Sequence, residues 1–331
     1  MVIFIQDDVK PKNNEPPVPS VFHPVDSGPY AGTGALHRWE PHVGLPASSK
    51  NQLDVLFSHD INVLKDVING SSRIRDDSRS WFTYSTLPEI NYGIRDRVAV
   101  TGLFSHIVQR RQTRFGGQEV EDLFTSGIGD FALLIKFNLL KPTSSHTLSL
   151  GLGPKLPVGK YSLSDGDGIL LPADLQPGTG AIDGILWGFY SNSTLFRKRG
   201  SFSMITTFRY TSENDRYGKG SYSGGYKFGK EFLSTASLGA QAVVLKQVLD
   251  YSLSAQYRFV GPDRFFGNPQ PSTGGHWGNI IPALRWNIST NLTLQAAGSL
   301  PVYRNLVDVQ LTTSYKITGE LYWKFDTKKK K

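Results

Sequence analysis

Residues 311–325 alternate almost without interruption between apolar and polar positions. Leu311, Tyr315, Ile317, Leu321, Trp323 and Phe325 share one face with the small Thr313 and Gly319, while Thr312, Ser314, Lys316, Thr318, Glu320 and Lys324 share the other. Successive side chains of a strand point to opposite sides, so this segment reads as a strand with one apolar and one charged face. It is long for a soluble strand and ends in Trp-x-Phe near the chain terminus, as the closing strand of an outer-membrane β-barrel does.

The same alternation recurs upstream. It predicts strands over 53–63, 81–93, 98–109, 131–139, 148–156, 181–190, 202–210, 222–228, 236–244, 280–288 and 292–302, which with 311–325 make about twelve. Single-chain bacterial barrels take an even number. Tyr251, Leu253, Ala255, Tyr257 and Phe259 also alternate. They are read as a strand extension within a long connection; counted with a further partner, they would raise the total to fourteen. Connection length gives a second test, because such barrels alternate long outer loops with short periplasmic turns. Residues 65–79, 110–127, 160–180 and 247–275 are long, 213–220 moderate, and 94–97, 141–146, 197–200, 229–235 and 289–291 short. Only 305–308 breaks the parity on the outer side. The expected fold is therefore an all-β, antiparallel, up-and-down transmembrane barrel over residues 49–326, its N- and C-termini periplasmic.

Composition narrows the picture. No run approaches the ~20 apolar residues of a membrane helix, and mean hydropathy is −0.27. Any membrane crossing therefore uses strands, in which only alternate residues meet lipid. With no Cys, neither a disulfide framework nor a thiolate metal site is available. The net charge of +8 includes Lys328–Lys331, and no basic helix or aromatic-basic RNA motif accompanies it, which argues against nucleic acid. Residues 1–48 carry Pro11, Pro16, Pro17, Pro19, Pro24, Pro41 and Pro46 without sustained periodicity, the pattern of an extended arm or plug. Their first ten residues lack the basic n-region and long apolar core of a signal peptide, so an exported chain has lost its leader or starts elsewhere.

Outward positions include Phe57, Tyr84 (or Trp81), Tyr92, Phe137, Phe208, Tyr210, Trp286, Trp323 and Phe325, rings suited to a membrane interface. The expected membrane partner is outer-membrane lipid. The inward set is Asp54, Asp60, Glu89, Asp130, Lys136, Lys155, Arg209, Lys227, Arg285, Lys316 and Glu320. Mixed signs there suit either a polar conduit or a bracing network in a narrow barrel. Basic Lys316 and Lys324, set beside Glu320 on the last strand, complement acidic Asp54 and Asp60 on the first, which predicts that those two strands close the barrel. Trp323 and Phe325 are the expected signal to the barrel assembly machinery.

Four motifs occur in series: Gly127-Ile-Gly129-Asp130; Lys155-Leu-Pro157-Val-Gly159; Leu175-Gln-Pro177-Gly-Thr-Gly180-Ala-Ile-Asp183; and Leu300-Pro301-Val-Tyr303-Arg304. In order and spacing, over residues 80–325, they resemble the outer-membrane transporters of the "MetA-pathway of phenol degradation" family. The resemblance implies passive passage of small hydrophobic or aromatic compounds. Val307-Asp308 departs from it where a Gly is expected. Read from the residues, Gly127 and Gly129 allow a turn into a strand, and Pro157 and Pro301 mark strand ends. Asp130, Lys155, Asp183 and Arg304 are read as a charged cluster near the outer mouth.

No G-x-S-x-G elbow, H-E-x-x-H or P-loop occurs, and no cofactor is expected. Asp165, Asp167 and Asp174 lie in a Gly-rich outer segment that reads as a solvated loop rather than a Ca²⁺ site. A lipid hydrolase would need His and Ser together on the lipid face, where His59 and His106 are the candidates by position. The leading function is a channel. The alternative is a structural barrel plugged by its N-terminal arm or by a protein partner bound through that arm.

Overall fold

The computed structural model describes residues 47–140, 145–195, 200–217, 224–244 and 247–327. Most of the N-terminal arm and the Lys328–Lys331 tail therefore lie outside the described residues. Among the described residues, eleven strand segments form the closed ring of an antiparallel sheet. The last, Leu292–Asp326, is continuous over 35 residues, but its first half pairs with Gly275–Asn287 and its second with Gln52–Gly70. Lys324 N donates to Asn291 O at 2.9 Å, and Asp308 takes a left-handed φ of 57° midway. The segment is a hairpin, and the barrel makes twelve passes. Asp308 thus occupies the expected glycine position in a conformation that Asp tolerates better than most residues.

The passes are β1 (Gln52–Gly70), β2 (Arg79–Arg95), β3 (Val98–Leu103 continued by His106–Phe115) and β4 (Gln118–Ile128 continued by Phe131–Asn138). They continue with β5 (His146–Leu156), β6 (Asp183–Thr194), β7 (Gly200–Tyr210), β8 (Glu231–Val244), β9 (Gln247–Val260) and β10 (Gly275–Asn287). The hairpin arms 292–306 and 309–326 are β11 and β12. Each pass pairs with the next, and β12 returns to β1 with Leu53 opposite Phe325 and Ile61 opposite Ile317.

The strand count matches the alternation, but two assignments change. The expected strand over 222–228 is not a barrel strand in its described part: Gly224–Lys227 joins Glu213–Tyr217, Arg264–Phe265 and Asn268–Pro269 in a separate four-stranded sheet, and 222–223 lie outside the described residues. The segment 251–259, read as an extension, is instead the heart of β9, and β8 starts at Glu231 inside what reads as a turn. Length explains the exchange, since a tilted span needs about 9–11 residues, and Gly224–Lys227 has four.

The wall is apolar outside and polar inside. Phe57, Ile135, Leu152, Leu253 and Ile317 are exposed, while Asp60, Asn91, Ser203, Ser254 and Thr318 are buried. Trp81 points inward and is fully buried, leaving Tyr84 as the outward aromatic. β3 and β4 both break their ladder, at Phe104-Ser105 and Gly129-Asp130. Beyond that level β1–β4 rise further than β5–β10, so one side of the far rim is tall. Pro301 lies within β11, beside a register shift between Gly278 and Asn279, rather than at a strand end.

The β1–β12 register is open to direct test in this Cys-free chain. The pair Ile61→Cys/Ile317→Cys sits within disulfide reach as directly opposed ladder residues. It is expected to oxidise in the folded barrel, whereas Ile61→Cys/Tyr315→Cys, two residues out of register, stays reduced. Thiol labelling after folding reads the outcome.

Candidate functional site

Between β5 and β6 the chain does not run over the surface. It folds into the far end of the barrel, and Leu171, Ala173, Leu175 and Gln176 are buried there around a short 3₁₀ turn, Ala173–Leu175. Of the segment expected to be solvated, the part with Asp174 is thus internal, while the tip with Asp165 and Asp167 stays half-buried to exposed. The anchor is Lys155 on β5, whose ammonium donates to Asp130 Oδ2 at 2.5 Å and lies 3.2 Å from Asp183 Oδ2. Thr179 Oγ1 and the Ala181 carbonyl receive the same ammonium. Asp130 in turn accepts Gly159 N at 3.2 Å and Thr179 N at 3.0 Å, clamping both stems of the loop. A carboxylate accepting backbone N–H groups beside a paired ammonium is a strong, directional arrangement.

Glycine makes the close approach possible. A Cβ on Gly159 would lie 2.8 Å from Gly178 Cα and 2.7 Å from the Gly129 carbonyl carbon, so three backbones meet where no side chain fits. A Cβ on Gly127 would touch the Pro177 ring at 3.0 Å. Three of the four sequence motifs therefore converge on one place, the anchorage of the in-folded loop. Arg304, from the fourth, does not join them: it pairs with Asp66 at 2.8 Å and with the Thr313 carbonyl. The expected four-residue cluster is a three-residue one, because the β11–β12 tip stands across the barrel.

The loop brings apolar surface into a polar tube. Leu171 and Leu175 pack in one cluster with Leu64, Trp81, Val260 and Trp277 from the wall. From the other side the small four-stranded sheet covers the loop. Tyr217 OH donates to the Leu171 carbonyl at 3.1 Å, Asn214 Nδ2 to the Thr179 carbonyl at 3.0 Å, and Ala173 packs with Tyr226 and Phe228. Lys227 belongs to this cap. It lies over the Tyr210 ring at 5.4 Å and does not line the lumen, a correction that comes with the reassignment of its strand. Asp174 is buried 3.9 Å from Arg111, apart from the Asp165 turn, and among the described residues no three acids or His gather as a metal site.

The remaining inward charges find ionic or hydrogen-bonded partners inside the barrel. Lys136 reaches Glu89 at 3.2 Å and sits 4.6 Å over the Trp187 ring, in space left by Gly151. Lys316 meets Asp60 at 2.9 Å across the closing seam. Asp54, facing Lys324 in the register, is instead hydrogen-bonded by Tyr322 OH at 2.8 Å, by Gln52 and by Ser48. Arg285 bonds Gln295, which bonds Glu320 at 2.6 Å. Arg209 and Arg258 share Glu231 at 2.7 and 2.6 Å, and Arg258 stacks on Trp277. Glu231 and Arg258 escaped the sequence reading because both fell in misassigned segments; the polar alternates Ser252, Ser254, Gln256 and Arg258 were the available signal.

At the end carrying the termini, Ala47 and Ser48 lie inside the mouth. Asn91 Nδ2 donates to Ser48 Oγ at 2.7 Å and Asn138 Nδ2 to the Ala47 carbonyl at 2.8 Å. The chain passes so close to Gly93 that a Cβ there would strike the Ser49 carbonyl. With Lys136 and Lys155 at 0% exposure and Lys316 at 1%, the interior around them is packed rather than water-filled.

No protein-family model matches the chain, and no curated protein matches it in sequence. Solved structures do. The COG4313 outer membrane channel from Pseudomonas putida F1 matches at 13% identity and a TM-score of 0.66, over 85% of this chain and 97% of that one. The beta domain of the Bordetella autotransporter BrkA matches at 7% and 0.47, over 83% and 100%. A Pseudomonas aeruginosa FadL homologue matches at 10% and 0.40, over 90% and 96%. The first likeness establishes a shared barrel fold; the other two are too distant to carry an argument.

Removing one member of the buried Lys155 group tests the anchor. Lys155→Met leaves Asp130 and Asp183 buried without their cation, and about 3–5 kcal/mol of stability is expected to be lost. The triple variant Asp130→Asn/Lys155→Met/Asp183→Asn is expected to recover part of it. Urea titration followed by heat-modifiable gel migration measures both.

Proposed function

We propose that the chain is an outer-membrane channel for passive passage of small hydrophobic or aromatic compounds, held shut here by the in-folded loop between β5 and β6. The observation that carries this reading is the apolar cluster inside a polar barrel. Trp81, Trp277, Leu64 and Val260 line the wall, and Leu171 and Leu175 on the loop fill the space between them. If the loop withdraws, the wall keeps its apolar lining, and an apolar solute replaces the two leucines. Polar residues would be the expected lining for a route serving ions or sugars.

In this reading the inward charges Asp54, Asp60, Glu89, Asp130, Lys136, Lys155, Asp183, Arg209, Arg285, Lys316 and Glu320 brace the closed lumen and bias which solutes pass through it. The capped end faces outward and both termini face the periplasm, in keeping with short connections on the terminal side. Trp323 and Phe325, whose rings stack at 4.7 Å at the end of β12, serve as the assembly signal. The channel named among the solved structures fits the same reading. A hydrolase is disfavoured: His59 bonds Thr86, and no hydrogen bond joins His59 or His106 to a serine among the described residues.

A second reading has its own support. Full burial of Lys136, Lys155 and Lys316, with Ser48 in the terminal mouth, suits a permanently filled structural barrel. Replacing residues 161–176 by a short Gly-Ser linker separates the two. For a channel, proteoliposomes bearing the deletion take up naphthalene faster than wild type, with a smaller gain for arabinose. Uptake no faster than in protein-free liposomes, for wild type and deletion alike, would leave the structural reading standing.

A further inference from the structure

A polar row crosses the lipid-facing side of the first three strands. His59 on β1 is register partner of Thr86 on β2, which is partner of His106 on β3. Apolar residues flank the row on both sides along the strands: Phe57 and Ile61 on β1, Ile317 and Leu321 on β12. It therefore lies within the apolar band, where an ionisable side chain is costly and points to a function. His59 Nδ1 is 3.0 Å from Thr86 Oγ1. A neutral imidazole donating there presents its other nitrogen, Nε2, as an acceptor.

Next to His59 the wall is hollowed. Its partner across the seam is Gly319, where an added Cβ would meet nothing within 4 Å. The hollow is a groove of about 580 Å³ bordered by Phe57, Leu284, Trp286, Leu294 and Leu321, with His59 and Thr86 at one end. The groove is shallow and open toward the bilayer, and an apolar lining with one polar contact is the usual composition of small-molecule sites. Lipid headgroups stay at the membrane surfaces, so a hydrogen-bonding partner for His59 at this depth comes from a small molecule dissolved in the bilayer.

We propose that this groove binds a small neutral amphiphile carrying one hydroxyl, its apolar body over Gly319 between Phe57 and Trp286 and its hydroxyl donating to His59 Nε2. The site lies outside the lumen and does not depend on whether the lumen conducts, so a failed permeation assay leaves it intact. Trp286 is a built-in reporter. The full chain in liposomes is titrated with 4-bromophenol and, as a matched molecule lacking the hydroxyl, bromobenzene, each a fluorescence quencher.

Quenching by 4-bromophenol is expected to saturate, and the saturable part to vanish in Trp286→Phe. Gly319→Leu, which fills the hollow, is expected to leave only linear quenching by partition. His59→Leu is expected to raise the half-saturation concentration for 4-bromophenol by about tenfold, the loss of one hydrogen bond, and to leave bromobenzene unchanged. Linear quenching in the wild type, saturation retained in Gly319→Leu, or equal half-saturation for the two compounds would overturn the proposal. So would quenching of Trp286 by brominated phosphatidylcholine that excess phenol does not relieve, since the groove would then hold only a lipid chain. The wild-type comparison decides the matter even if a variant folds poorly.

Discussion

A sheet that crosses hydrocarbon cannot leave an edge, because each unpaired backbone group there costs several kcal/mol. The seam between β1 and β12 meets that demand, and most of the molecule depends on it. Closing the sheet puts alternate side chains in lipid and in the lumen, so the polar half of every strand is enclosed. In a barrel of this width the enclosed groups are close enough to touch. Charges that would line water in a wider tube become neighbours, and they must be neutralised in place. Lys316 with Asp60 does this on the seam itself, and Lys136 with Glu89 does it across the interior.

Neutralised charge then becomes a means of construction. Lys155 holds Asp130 and Asp183, and Asp130 holds the two stems of the in-folded loop by their N–H groups. The loop carries leucines to a wall that offers tryptophans, and the small sheet from the β7–β8 and β9–β10 connections covers it. Loop and cap are tied by backbone carbonyls accepting from Tyr217 and Asn214. Together they cover the apolar cluster from the far end.

Legibility in the sequence divides along physical lines. Whatever depends on period two was readable where the ladder is regular: which residues of β1 up to Asn62, of β2, of β7 and of β12 from Tyr315 face in, and which strands close the ring, because a slip of one residue would exchange the two faces. Leu311, read with the outward face, lies beyond the register shifts around Leu64 and is buried in the loop cluster. Strand identity between Tyr210 and Gly275 was not, because alternation over Tyr222–Phe228 looks like alternation over Tyr251–Phe259. Pairing partners, and the strand lengths they establish, tell them apart. The 160–180 connection misled in its second half for a different reason. Its Asp, Gly and Ser content is that of an exposed loop, while the force that draws it inside comes from Asp130 and Lys155 on two other strands. The motif glycines were visible as motifs, but their meeting point is a property of the fold.

That meeting point also says how this chain can drift over evolutionary time. Within one loop, Gly166 stands in open space, while Gly159 presses on both Gly178 and Gly129. Among descendants that keep the in-folded loop, position 166 is free to wander and insertions beside it are absorbed. Position 159 is held from both sides, since a methyl group there strikes Gly129 and Gly178; one at 178 strikes Gly159 in return, and one at 129 strikes Ser105 and the Pro177 carbonyl. The loop tip is the part of this barrel open to new sequence, and the backbone contact beneath it is what keeps successive versions on the same frame.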